Sequence, residues 1–98
     1  MTVYVDRMRA PYRGMVMCHM LADSEAELHD MADRIGIARR WHQKAGTAHS
    51  HYDICRGKRV LAVREGAIEI GRGELARLLR RKRCAVIAGG AQSGGHRS

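Results

Sequence analysis

The chain has 98 residues, 45% of them hydrophobic, a formal charge of +8, three cysteines and no Phe. That length holds one domain with a modest core, and the composition argues against a disordered chain and a disulfide scaffold. No apolar run is long enough to span a membrane, so no membrane partner is expected.

The N-terminus is charged within ten residues and shows no signal-peptide pattern, which makes the cytoplasm the expected location. Leu, Ile, Val, Ala and six Met must build the core, and Met packs adaptably while specifying little. Such a core gains from a partner surface, so a homodimer is expected. The charge is uneven: residues 1–50 carry seven Arg or Lys against six Asp or Glu, and residues 51–98 carry eleven against four. An excess concentrated at Arg77, Arg80, Arg81, Lys82 and Arg83 favours an anionic partner such as nucleic acid.

In chain order, Thr2–Asp6 reads as a short strand of β-branched and aromatic residues. Residues 7–14, with Pro11 and Gly14, read as a loop. Met15–Leu21 alternates as a second strand, putting His19 on the face opposite Cys18 and Met20. Ser24 and Glu27 form a capping box for a helix with the apolar stripe Leu28, Met31, Ala32, Ile35, and Gly36 ends it. His29 follows Glu25 by four and pairs with it on an exposed face. Ile37–Gln43 is a weak strand and residues 44–50 an exposed loop.

His51-Tyr52-Asp53-Ile54 comes next, and a helix from Cys55 to Arg64 follows, with Asp53 able to cap it and Val60, Leu61 and Val63 inward. Ala67–Ile70 is another strand. Glu74–Arg83 is a third helix with Leu75, Leu78 and Leu79 inward and Arg77, Arg80 and Arg81 outward. Cys84–Ile87 continues that helix or forms an edge strand. Residues 1–88 thus make a single layered α/β domain, a short mixed sheet with about three helices, and residues 89–98 a disordered Gly-rich tail.

The polar candidates are Asp6, His19, His42, His49, His51, Tyr52 and Asp53. Imidazoles and carboxylates together suit a borderline divalent metal such as zinc, manganese or iron. His49-x-His51-x-Asp53 puts its three groups on one side if extended, although a His-rich loop above a capping Asp has the same pattern. A hydrolytic reading takes Asp6, His51 and Asp53 as metal ligands and His51 or His19 as the catalytic base. Lys58 or Arg59 then clamps phosphate near a helix start, and Tyr52 hydrogen-bonds the ligand. Trp41, beside Arg39 and Arg40, is the one place where stacking and charge coincide, although a lone Trp is most simply a core residue. There is no HExxH, no GxGxxG and no P-loop.

Three segments carry a resemblance: MTVYVDRMRAPYRG, MCHMLADSEAELHDMADRIGIARRWHQ and HYDICRGKRVLAVREGAIEI. Together, over roughly residues 1–70, the chain resembles DUF4031, a family of small bacterial and phage proteins without an assigned activity. The resemblance implies that Asp6, His19, Asp23, Trp41, His51, Tyr52, Asp53 and Lys58 match a recurrent pattern. That pattern tends to have Ser where this chain has Cys55, which argues against an essential thiol. Two functions are therefore expected to compete. One is a protein that binds a phosphorylated small molecule or nucleic acid through the Asp6, His19 and His51–Ile54 region; the other is a metal-dependent phosphoester hydrolase.

Overall fold

A computed structural model describes residues 2–7, 10–12 and 14–93. Its elements are β1 (Val3–Val5), β2 (Ala10–Tyr12), β3 (Met15–Ala22), α1 (Glu25–Ile35), a 3-10 turn (Arg39–Trp41), β4 (His42–Gln43), β5 (His51–Cys55), α2 (Arg56–Arg64), β6 (Ile68–Glu69) and α3 (Arg72–Ser93). This is a small α/β domain with a mixed sheet and three helices, as the sequence pattern implies.

The sheet is ordered β4-β5-β3-β1-β6, with β2 also on β3. β1 and β6 run parallel and the other pairs antiparallel. Met17 pairs with Cys55 on one edge and Ala10 on the other, while Met20 pairs with Tyr52 and Val5. So β1 and β2 lie end to end along one edge of β3, and the chain leaves the ladder between them. Within the stretch 7–14, expected as a loop, Ala10–Tyr12 form a strand. Gly14, at φ +80°, turns β2 into β3, and Pro11 is tolerated on an outer strand.

Alternation along the strands sends side chains to two cores. Val3, Val5, Cys18, Met20, Ala22, Tyr52 and Ile54 pack beneath α1 and α2. Leu21 and Tyr4 point the opposite way, toward Ile70 and α3's Leu75, Leu78 and Leu79. The helices thus cover both faces of the β1–β3 region.

α1 forms as its capping signals require. The Ser24 hydroxyl accepts from the Glu27 amide at 3.2 Å and donates to the Glu27 carboxylate at 3.0 Å, and Gly36 ends the helix at φ +81°. Leu28, Met31, Ala32 and Ile35 are its buried stripe. α2 departs from expectation. It starts at Arg56, with Cys55 as an N-cap that makes no side-chain capping bond, so Asp53 is a strand residue and not the cap. Its buried residue is Ala62, with Val63 partly buried, whereas Val60 and Leu61 are exposed. The inward line runs through Lys58, Arg59, Ala62 and Val63, because residues four apart share a helix face.

Ile37–Gln43 is mostly not strand: a 3-10 turn precedes the two residues of β4. Trp41 lies on that turn, 49% exposed and outside the core, with the Arg40 guanidinium 5.3 Å from its ring centre. α3 carries straight through Cys84–Ile87 to Ser93, into the stretch expected as a tail. Residues 94–98, with His96, lie outside the described residues.

Candidate metal centre

The break after Asp6 builds the first half of the site. Asp6 continues the ladder by donating its amide to the His19 carbonyl at 3.0 Å. Its own carbonyl instead accepts Arg59 Nε at 3.0 Å. The reciprocal His19 amide is met by the Asp6 carboxylate, Oδ1, at 2.7 Å. The other carboxylate oxygen takes His19 Nδ1 at 2.8 Å. Asp6 is almost fully buried, and these bonds are what make a buried carboxylate tolerable.

β5 supplies the second half. Asp53 lies directly across from His19, and Gln43 across from His51, so four neighbouring strands present Asp6, His19, Asp53 with His51, and Gln43 on one face. His19 Nε2 is 3.6 Å and His51 Nε2 3.3 Å from the same oxygen, Asp53 Oδ1. The other Asp53 oxygen accepts Gln43 Nε2 at 2.8 Å. The two imidazoles meet edge to face, 4.8 Å between centres.

The tautomers follow from the partners. His51 Nδ1 bonds the His49 carbonyl, which can only accept, so Nδ1 carries the proton. The Asp6 carboxylate imposes the same on His19. When its ring is neutral, each imidazole therefore turns a lone pair on Nε2 toward Asp53. The Asp6 hydrogen bond holds the His19 pKa above its ordinary value, against opposing burial and with help from the Asp6 and Asp53 charges. A tetrahedral ion with bonds of about 2.0–2.1 Å needs donors about 3.3 Å apart, and the separations from Asp53 Oδ1, 3.3 and 3.6 Å, lie at that value and a little above it. His19, His51 and Asp53 can thus coordinate a metal ion.

Sequence reasoning groups residues that the strand separates. Asp6 bonds His19 through both carboxylate oxygens. Tyr52 lies between His51 and Asp53 in sequence but faces the other side of the sheet, fully buried, its hydroxyl 2.8 Å from His29 Nδ1. His49 falls in the loop and contributes its carbonyl. Lys58 donates Nζ to the Ile35 carbonyl at 2.8 Å, closing the end of α1. Arg59 stays near the site, bonded to the Asp6 carbonyl and to Glu69 at 3.0 Å. Trp41 is not part of the group. Gln43 was missed, and its signal is the alternation of β4 against β5.

Beside Asp6 opens a cleft of about 430 Å³ lined by Arg7, Arg56 and Arg59, with Cys18, Met17 and Glu69. Burial, reinforced by the Asp6 charge and partly offset by Arg59, pushes the Cys18 thiol up to about 11. All three cysteines are free thiols.

On the opposite face, Glu25, His29 and His42 form a second cluster. The i,i+4 spacing of Glu25 and His29 is legible, but they sit 4.0 Å apart with His42 beside them rather than on an isolated exposed face.

A family model described as a protein of unknown function, DUF4031, matches residues 3–82. The match extends past the expected limit and takes in the first half of α3. Neither a curated protein nor a solved structure matches the chain.

Proposed function

Since the chain belongs to the DUF4031 family, whose description names no activity, its chemistry has to be read from its own residues, and we propose that it is a divalent-metal hydrolase of phosphoesters. The observation that carries this reading is the aim of the two imidazoles. Each has Nδ1 held by an acceptor, and each turns Nε2 to Asp53 Oδ1. Metal-binding histidines are oriented in this way by a carboxylate or carbonyl on the other ring nitrogen.

Three protein ligands leave coordination positions for water and substrate. A metal bound there lowers the pKa of a bound water toward 7 and polarises a phosphoryl oxygen. The residues have separate duties. His19, His51 and Asp53 hold the ion; Asp6, Gln43 and the His49 carbonyl orient those three. Arg7 and Arg56 in the neighbouring cleft favour a phosphorylated substrate. The uncapped first turn of α2, beginning at Arg56, adds backbone amides of the right sign. His19 keeps its first assignment as a candidate base only where it is not a ligand.

The test is metal-dependent cleavage of a chromogenic phosphodiester and of short oligonucleotides. Wild-type protein should turn over with zinc or manganese, and His51→Ala with Asp53→Asn should lose activity together with the metal held at this centre. Asp6→Asn should weaken metal binding by about 10–100-fold without abolishing it. Stoichiometric metal without cleavage of any phosphoester would overturn the hydrolase.

A second reading, a phosphorylated-ligand or nucleic-acid binder without turnover, is favoured by the same arginine-lined cleft. Salt-dependent binding without cleavage would select it.

A further inference from the structure

We propose that Glu25, His29 and His42 form a second divalent-cation site, of zinc type, that fastens the β4–β5 edge to the start of α1. It lies on the face opposite the first centre and shares no residue with it. Glu25 and His29 come from the first two turns of α1, one turn apart, and His42 is the first residue of β4.

Three observations carry the site. The donors are grouped: His42 Nε2 is 3.2 Å from Glu25 Oε1, close to the spacing of about 3.3 Å that a four-coordinate ion requires, and His29 Nε2 is 4.0 Å from it, a separation that must shorten on binding. The rings are held: His29 Nδ1 bonds the hydroxyl of the buried Tyr52 at 2.8 Å, and His42 lies stacked on the Tyr52 ring, 5.2 Å between centres. The carboxylate is also held, with Oε2 taking the Gly46 amide at 3.1 Å and Oε1 the Ser50 hydroxyl at 2.8 Å. Burial pushes the Glu25 carboxyl up, but these hydrogen bonds and the nearby imidazoles outweigh it and hold the pKa low.

The buried Ser50 hydroxyl lies 2.6 Å from His42 Nε2 and 2.8 Å from Glu25 Oε1, the place of a fourth donor. That burial argues against Ser50 as a nucleophile, despite its contacts with His and Glu. Two imidazoles and one carboxylate favour zinc over magnesium or calcium. Flanked by the buried Ser50 and Tyr52, the ion serves as a staple. It joins α1, β4 and the 44–50 loop.

The experiment uses full-length protein stripped by chelator and titrated with zinc, with cobalt as the spectroscopic probe. The background carries His51→Ala and Asp53→Ala, so that only the second site can bind. One equivalent should remain in that background, with a tetrahedral cobalt spectrum and a zinc-dependent rise in Tm. Adding His42→Gln, or separately Glu25→Gln, should remove all three signals while circular dichroism stays native. No zinc bound by the folded background variant would overturn the site. So would an equivalent that survives both second-site substitutions. Wild-type protein that binds one equivalent, lost in the background variant, would leave the first centre standing and dismiss this one alone.

Discussion

Asp6 illustrates how a single residue makes a site out of a strand defect. The ladder stops after it, its carbonyl turns to Arg59, and its carboxylate fills the gap at the His19 amide while fixing the His19 ring. The neighbouring Cys18 feels the same charge. With its pKa pushed to about 11 by burial first and Asp6 second, it should resist iodoacetamide at about pH 8, while the partly exposed Cys55 and exposed Cys84 are modified. The sign for stability follows. The unfolded thiol ionises from 9.0 and the folded one only near 11, so stability falls as pH rises through that window. Denaturant midpoints at the two ends of it, compared with Cys18→Ala, measure the effect. An equal midpoint shift in that variant would deny Cys18 the role.

The five residues of β5 decide which chemistry belongs together. Period two sends His51 and Asp53 to one face and Tyr52 and Ile54 to the other, so a motif that reads as one site divides into two. α2 carries a similar lesson: its inward line includes two long cations, Lys58 and Arg59, whose stems pack while their charged ends reach carbonyls. Lys58→Met should cost about 1.5 kcal/mol, through the lost bond to the Ile35 carbonyl, and leave phosphate affinity unchanged. A urea midpoint and a phosphate-ester titration read the two effects. Arg56→Ala should do the reverse, and a Lys58→Met protein that loses affinity but not stability would restore Lys58 to the ligand.

Taken together, the molecule carries a second group of cations away from the metal-type donors. The His and carboxylate clusters draw on β3, β4, β5 and the first two turns of α1, while Arg77, Arg80 and Arg83 lie exposed along α3. Arg81 is tied to Tyr4 and Asp23 at 3.2 Å. Among the described residues no helix is long and apolar enough to cross a membrane. If α3 meets nucleic acid, changing Arg77 and Arg80 to Ala should weaken duplex binding and flatten the salt dependence by about 0.9 per lost phosphate contact. An unchanged slope from low to moderate salt would assign the net charge another role. α3 itself hangs on Leu78, its one fully buried side chain through residue 84.

The local code of the chain determined what depends on neighbours in sequence. Ser24 with Glu27 and Gly36 delimit α1, the alternation of Met15–Leu21 places His19 opposite Cys18 and Met20, and the Leu75, Leu78, Leu79 stripe marks α3's inner face. Those signals act within a turn or a strand, so they survive without knowledge of the rest. Which strands lie side by side is a different kind of fact. The pairing of Asp53 with His19, of Gln43 with His51, and of His42 with Tyr52 joins residues 8 to 34 positions apart, as the registers show. Only that packing turned His42 and His29 into neighbours and made Asp6 the support of His19. The physical reason is that strand register fixes distances between residues that no local periodicity relates.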